Sequence, residues 1–565
     1  MIGPLPRERH ASAIDGLVLV AIALAVLVLF LDEPHVLPRT SASIDLAPSM
    51  LPLYATYSVQ RMTAAYACAL VFSLAAGYWA AASPAGRRLI LPALDVLQTV
   101  PILGFFPAAV FGFIRLFRGT AAGVEAAAVF LVFTSQAWNM AFSVYESLTT
   151  IPDDLRTAVR VSGATGPVLW RRLLLPACVP RLVYNSMLSW AGGWFFLIAS
   201  EIIAVGRHTW GLPGLGSYIG EAAARGRTGP VVAGVLALVS VVAALQVLVW
   251  SPLQAWAGRF RYDTGGAGAP AASPWIGRVL RRAPVLRWTL LQAARLTAGV
   301  LGGLAARAFH VLSGRWVPPL LVLAGVSGAG ALAWGAAENL ALLTRPLPAA
   351  AREIPMALLF SFLRILVAYL VCLGWTVPVA CWVSRSSRRA ALVMPPVQVL
   401  ASLPATAFFP LLVAAVVHLG WSIDVAAVAL VLTGMQWYVL FNLVAAAQAM
   451  PEQLRELATT TGARGLVYLR RFFLPMAAPS LVTGSLTAWG GGWNALVLSE
   501  RVSAAGRTWA VPGIGALLDR ATYVEGDLQM IELVVLSMVV AVMLLNRTVW
   551  RPLYAWASLR FRLDD

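Results

Sequence analysis

Glu201 and Glu500 each stand toward the end of a long apolar run, 299 residues apart. Each follows a glycine-rich stretch, Ala191-Gly192-Gly193-Trp194 in one case and Gly490-Gly491-Gly492-Trp493 in the other. An acid in a lipid-spanning helix is expensive, about 2.5 to 3.5 kcal/mol for Asp at the helix centre, so it faces the bundle interior. Two uses are open. The carboxylates hold a gate beside a pathway, or they are structural, bonded to backbone or to Arg61 and Arg364. Two acids repel an anion, so gate-holding is expected over substrate contact. Glycine runs allow close helix contact or local unwinding beside a cavity, which places Gly193, Trp194, Gly492 and Trp493 in the same candidate pathway. Pro101 and Pro107, matched by Pro404 and Pro410, are expected to kink a neighbouring span and open hydrogen-bonding groups toward the axis.

Other chemistries find little support. The chain contains no lysine, and a phosphate-binding P-loop needs its lysine on the β/γ-phosphates, so ATP hydrolysis is expected from a partner. Cys68, Cys178, Cys372 and Cys381 form no C-x-x-C pair and read as reduced thiols in apolar surroundings. The five histidines show no metal-binding spacing, so no metal site is expected. No nucleophile and base stand together as an enzyme would need.

The elements that position these residues are membrane helices. The chain has 565 residues, 59% of them hydrophobic and only 12% charged, and a mean hydropathy of +0.77. Its apolar runs reach the roughly 18 residues that cross a hydrocarbon core of about 30 Å. Six spans are expected near Ile14–Leu31, Met62–Ala82, Leu89–Ile114, Val124–Tyr145, Leu182–Ala204 and Pro230–Trp250. Six more are expected near Trp316–Ala336, Ile365–Val383, Ala391–Leu419, Val425–Ala447, Leu481–Leu498 and Met530–Asn546. The fold class is therefore all-α, a polytopic bundle of about twelve transmembrane helices in a lipid bilayer. Arg7 and Arg9 before the first run mimic a secretory signal, but eighteen apolar residues is long for one, and a retained span is expected.

The net charge of +17 comes from arginines lying between the spans, a distribution that holds loops on the cytoplasmic side and argues against nucleic acid. Arg87-Arg88, the 156–181 and 455–471 segments, Arg385 to Arg389 and the carboxyl end all fall on one side, with Arg115 and Arg118 opposite. Both termini are thus expected in the cytoplasm. The segment 259–315 carries nine arginines against Asp263 alone and reads as a basic interfacial linker. It separates a first unit, 1–258, from a second, 316–565. The two match in register: Gly163 with Gly462, Pro176 with Pro475 and Trp194 with Trp493 at a spacing of 299, Arg61 with Arg364 and Pro101 with Pro404 at 303. Equal span number makes this a parallel duplication with a pathway between the halves.

Each half has one patterned polar segment, at 151–180 and 450–479. The first reads Ile151-Pro152-Asp153-Asp154-Leu155-Arg156-Thr157-Ala158-Val159, then Gly163-Ala164, Arg171-Arg172 and Leu175-Pro176. The second reads Met450-Pro451-Glu452-Gln453-Leu454-Arg455-Glu456-Leu457-Ala458, then Gly462-Ala463, Arg470-Arg471 and Leu474-Pro475. Acids after proline start a helix, the alanines keep one face shallow, and glycine ends it. These segments resemble the EAA loop of ABC importer permeases, occurring twice. The first copy has Thr157 where the motif has glutamate, and Val159 and Leu457 replace alanines. Trp194 with Leu197 to Glu201 and Gly214-Leu215-Gly216, repeated as Trp493, Leu496 to Glu500 and Gly513-Ile514-Gly515, is similar to the nitrate, sulfonate and taurine branch, including fused members.

The resemblance implies the type I ABC importer permease fold and a translocation pathway in a bacterial inner membrane. It implies coupling helices at Leu155–Ala164 and Leu454–Ala463 docking on two ABC ATPase subunits that bind ATP and Mg, with arginines pairing acidic groups on those partners. An external solute-binding protein would deliver a small anion such as nitrate, sulfonate or taurine, and one copy of this chain would serve each transporter. An ion-driven secondary transporter and a ferric-type fused permease are the rival readings.

Overall fold

The computed structural model describes residues 44–260 and 346–560, apart from short interruptions at 99–101, 105–111, 114–115, 118–120, 164–165, 206–207, 449 and 505–506. The expected spans Ile14–Leu31 and Trp316–Ala336, the linker beyond Phe260, and Pro101, Pro107 and Ala164 lie outside the described residues.

Lipid offers the backbone no hydrogen-bond partner, so each apolar run satisfies its own amides as helix. The first half comprises α1 (Leu51–Ala82), α2 (Pro84–Leu97), α3 (Ala121–Thr149), α4 (Asp153–Val161), α5 (Leu175–Glu201), the hairpin β1 (Ile202–Val205) and β2 (His208–Gly211), then α6 (Leu215–Ala224), α7 (Thr228–Leu245) and α8 (Ser251–Ala257). The second half repeats it as α9 (Ile354–Ser384), α10 (Ser387–Ser402), α11 (Ala405–His418), α12 (Ile423–Gln448), α13 (Glu452–Thr460), α14 (Leu474–Ser499), β3 (Arg501–Ala504), β4 (Arg507–Ala510), α15 (Ile514–Asp519), α16 (Leu528–Leu545) and α17 (Arg551–Arg560). Seven helical stretches among the described residues are long and apolar enough to cross a membrane, with the shorter Ala405–His418 beside them.

Three details depart from the sequence reading. The run Ala391–Leu419 is not one kinked span but two helices, α10 and α11, broken where Leu403 and Pro404 are extended (ψ 126° and 115°). Proline lacks an N–H and forces its predecessor out of the helical region, so Pro404 breaks rather than bends; Pro410 sits inside α11. The fifth span does not reach Ala204: α5 stops at Glu201 and the chain enters an antiparallel two-stranded hairpin, Ile202 opposite Gly211. The second half does the same, with Arg501 opposite Ala510. These hairpins are small strand additions to the helical fold. Finally, the glycine runs do not unwind their helices, since α5 and α14 are continuous through them.

Each half has a core of matching construction, and the two are joined where Ala407 of α11 enters the first half's core and Ala93 of α2 packs on the second's. Tyr66, Trp190 and Trp250 meet with ring centroids 5.6 to 5.9 Å apart. Tyr369, Trp489 and Trp550 repeat the triad at 5.8 to 6.1 Å. Tilted and edge-on rings at such spacing favour the aromatic quadrupole. Just before the Leu-Pro that opens α5 and α14, the chain makes one π turn, Trp170–Leu174 and Leu469–Phe473. Proline cannot donate to the carbonyl four residues earlier, which accounts for the local widening.

The halves interlock through their third and fifth spans. The Leu103 amide of the first half donates to Asn494 Oδ1 of the second at 3.3 Å. The Thr406 hydroxyl of the second donates to the Phe195 carbonyl of the first at 3.4 Å. Residues 103 and 406, and 195 and 494, occupy equivalent repeat positions, so the two bonds are one contact made twice about the pseudo-twofold axis.

Candidate functional site

Glu201 and Glu500 are fully buried, each held by a near-identical set of partners. Glu201 ends α5 and accepts from Ser58 Oγ at 2.6 Å, Arg61 Nη1 at 3.0 Å and the Gly216 amide at 2.6 Å. Arg61, 6% exposed, grips Glu125 with Nε and Nη2 at 2.7 and 2.8 Å and the Pro213 carbonyl with Nη1 at 2.8 Å. Ser58 Oγ in turn accepts from the Leu215 amide at 2.9 Å. In the second half Glu500 accepts from Ser361 Oγ at 2.6 Å, from Arg364 Nη1 and from the Gly515 amide at 2.7 Å. Arg364 Nη2 reaches Asp424 at 2.8 Å and the Pro512 carbonyl at 3.2 Å. Each clamp ties α1 or α9, the start of the fourth span, the end of the fifth, and the amino end of the short helix α6 or α15. A carboxylate at a helix amino end is favoured by the exposed amides and the dipole. Gly214 and Gly513 are required by space: a Cβ at either would collide with the glutamate carboxylate.

This geometry matches the structural alternative, pairing with Arg61 and Arg364. Glu125, Asp424, Ser58 and Ser361 were missed by the sequence reading, although they obey the same 299- and 303-residue spacings. The halves differ in detail, for Arg61 makes two bonds to Glu125 and Arg364 one to the shorter Asp424. The second half also carries outer ion pairs, Arg501 with Asp519 and Arg520 with Glu353 and Glu525.

The patterned polar segments form α4 and α13. Asp153 and Asp154 occupy the first turn of α4. Each helix closes at a glycine with positive φ, Gly163 at +70° and Gly462 at +65°. Gly462 donates to the Thr459 carbonyl and Ala463 to the Ala458 carbonyl, a Schellman closure. Leu155, Leu454 and Ala463 anchor these helices against the helical core, and Ala458 is buried. Ala158, Thr157, Glu456, Arg172, Arg470, Arg471 and both glycines are exposed. Arg156 and Arg455 donate to the Leu148 and Ala447 carbonyls at 2.7 and 3.2 Å, near the carboxyl ends of α3 and α12. There they satisfy orphan carbonyls and oppose the dipole. The Arg171 side chain lies outside the described residues. Val161 and Leu457 leave apolar surface exposed on these two helices, 83% and 51%.

Along α5 and α14 the glycines serve close packing. A Cβ at Gly193 would lie 2.6 Å from Gln136 Nε2, and one at Gly492 would lie 2.9 Å from Met435 Sδ. Trp194 and Trp493 are buried, at 0% and 2%. Pro404 is buried and Pro410 half-buried. Cys178 and Cys372 are buried, Cys381 half-buried and Cys68 exposed, all four as free thiols.

The model of the family described as binding-protein-dependent transport system inner membrane component matches twice, at 73–249 and 371–549. The chain is 25% identical over 192 residues to the nitrate import permease protein NrtB of Leptolyngbya laminosa, covering 34% of this chain and 64% of that protein. It is 26% identical over 199 residues to the taurine transport system permease protein TauC of Escherichia coli K12, covering 35% and 66%. It is 22% identical over 165 residues to the bicarbonate transport system permease protein CmpB of Synechococcus elongatus, covering 29% and 55%. Two family matches, one per half and in the same order as the two clamps and the two patterned helices, make this chain a multi-pass ABC transporter permease of the binding-protein-dependent inner membrane family, with two permease domains fused in one polypeptide.

Proposed function

We propose that this chain forms the whole translocation pathway of an ATP-driven importer for a small oxyanion or organic anion of the nitrate, sulfonate or taurine kind. Two ABC ATPase subunits dock on α4 and α13, a solute-binding protein delivers substrate at the opposite face, and one copy of the chain serves each transporter. Both termini then face the cytoplasm, with the arginine-rich loops.

The observation that carries this reading is the pair of short exposed helices, each closed by a left-handed glycine and each joined through a π turn to the fifth span of its half. A push on α4 or α13 is transmitted directly to α5 or α14, and those spans end in the buried Glu201 and Glu500 clamps. ATP-driven approach of the two motors would thus bias one two-state arrangement of the halves. In this scheme the clamps keep the outer ends of four elements moving as a unit and do not touch substrate. Copurification of the chain with its ATPase subunits tests the docking. Replacing Gly163 and Gly462 with valine is expected to abolish it, because a β-branched residue at φ near +70° is strained by about 1–2 kcal/mol and distorts the helix end. Normal ATPase-driven uptake by a Glu201→Gln, Glu500→Gln double variant would refute the role given to the clamps.

A further inference from the structure

Among the described residues Glu201, Glu500 and Glu532 are fully buried glutamates. The first two sit in the clamps. Glu532 stands in the second turn of α16, and neither of its carboxyl oxygens has a hydrogen-bond partner. Ile531, Val534 and Val535 beside it in the chain belong to the apolar core of the second half, together with Leu517 and Leu518 of α15. The elements packed against α16 are α15, the π turn Arg520–Glu525, the turn Ala349–Glu353 and α9, and their charged groups are engaged elsewhere or exposed. Asp519 of α15 pairs with Arg501, Arg520 pairs with Glu353 and Glu525, and Arg364 of α9 pairs with Glu500 and Asp424. Arg352 is exposed, and the Tyr523 side chain lies outside the described residues. Asp527 caps α16 by accepting from the Met530 amide, and Tyr369 of α9 donates to Ser485. Cys372 and Cys381 follow further along α9, and Arg547 lies fifteen residues beyond Glu532, about 22 Å along the helix. The first half has no acid at this place. At the 300-residue spacing that relates Val231 to Ile531, Val235 to Val535 and Trp250 to Trp550, Glu532 corresponds to Val232, which is 39% exposed.

We infer that Glu532 is a proton-binding site, held as the neutral acid in the folded chain, and that release of its proton loosens α15 and with it the Glu500 clamp of the second half alone. An ionised carboxylate taken from water and given no partner is far more costly to bury than its acid, so the group carries a proton instead of standing as a bare charge. Among the described residues no cluster of His, Cys, Asp or Glu gathers to hold a metal ion there in the proton's place. The consequence runs through α15, which touches both buried glutamates' helices. Its Gly515 and Ala516 amides donate to Glu500 at 2.7 and 3.3 Å, and its Leu517 and Leu518 share the core with Ile531 and Val534 of α16. A charge appearing on α16 can be hydrated only if that packing opens, and opening it withdraws the amides from Glu500. In the first half α6 packs on α7 through Tyr218 and Ile219 against Gly234, with no ionisable carboxyl in the contact. The proton therefore acts on one clamp and not on its repeat.

The test compares the full wild-type chain with Glu532→Gln in lipid vesicles, using Glu532→Met in its place should the first fail to fold. At pH 7 the infrared spectrum of the wild type is expected to contain the carbonyl stretch of one carboxylic acid that the variant lacks, and that band is expected to fade as the pH is raised. Amide hydrogen exchange gives the second readout, with α6 of the first half as internal reference. An opening that releases one proton becomes about tenfold more populated per pH unit. Exchange of the α15 amides relative to those of α6 should climb with pH by that factor in the wild type, over and above any slope in the variant. Asp519 stands at the end of α15 in both proteins, so its own titration cancels in the comparison. Equal carboxylic-acid absorption in the two proteins overturns the proton site. A band that differs as expected, with parallel α15 exchange slopes in the two proteins, overturns the link to the Glu500 clamp.

Discussion

Replacing Arg61 with methionine keeps most of the aliphatic stem and removes the charge. Four hydrogen bonds vanish: two to Glu125, one to Glu201 and one to the Pro213 carbonyl. Glu125 is 44% exposed and recovers hydration, so its loss is small. Glu201 is fully buried and cannot; only Ser58 and the Gly216 amide remain on it. Breaking a buried pair from one side typically removes about 3–5 kcal/mol. Adding Glu201→Gln takes away the stranded charge, and a coupling of about 1–3 kcal/mol between the two changes is expected. The assay is a double-mutant cycle on detergent-purified protein, measured by reversible denaturant unfolding. The single variants should each be strongly destabilised and the double variant less so than their sum. An Arg61→Met loss below about 1 kcal/mol, or strict additivity, would show that the buried clamp is not a coupled unit and refute the reasoning.

In the second half, Gly491→Ala places a Cβ against the Gly434 carbonyl, and thermal unfolding should show a loss of about 1–3 kcal/mol from overpacking α14 on α12. Gly490→Ala, one residue away and facing open space, should gain a few tenths of a kcal/mol or stay neutral in the same measurement. Burial pushes the Asp519 carboxyl up to about 6 despite the Arg501 guanidinium beside it. Its folded value lies above the unfolded one, so its stabilising contribution is complete below about pH 4 and is lost as pH rises through about 6. Melting curves from pH 4 to 8 should therefore show Asp519→Asn gaining on the wild type as pH increases, and a constant difference would contradict this. Arg455→Gln, which frees the Ala447 carbonyl, is expected to loosen the joint between α12 and α13 and to raise amide exchange there by about tenfold, one hydrogen bond's worth.

Lysine's absence, the apolar runs, the arginine distribution and the 299- and 303-residue spacings were all legible in the amino-acid sequence. They suffice for a polytopic helical bundle with an internal duplication, because lipid forces backbone self-satisfaction and the period of the apolar pattern then fixes the element. The patterned segments were legible for the same reason: proline, acid and glycine act on the chain locally, and α4 and α13 start and stop where those residues stand. What the sequence left open involved partners distant along the chain. The partners of Glu201 were among these: folding alone brings Arg61, 140 residues away, and the Gly216 amide onto its carboxylate. That Arg156 and Arg455 reach the Leu148 and Ala447 carbonyls was not legible either, since the helix carboxyl ends come beside them only after folding. The break at Pro404, the hairpins after Glu201 and Glu500, and the contacts of Phe195 and Leu498 with the opposite half likewise depend on how elements pack against one another. Local chemistry decides which segments form helices; which side chains meet across the pseudo-twofold axis is set by three-dimensional packing, where contacts are made without regard to sequence separation.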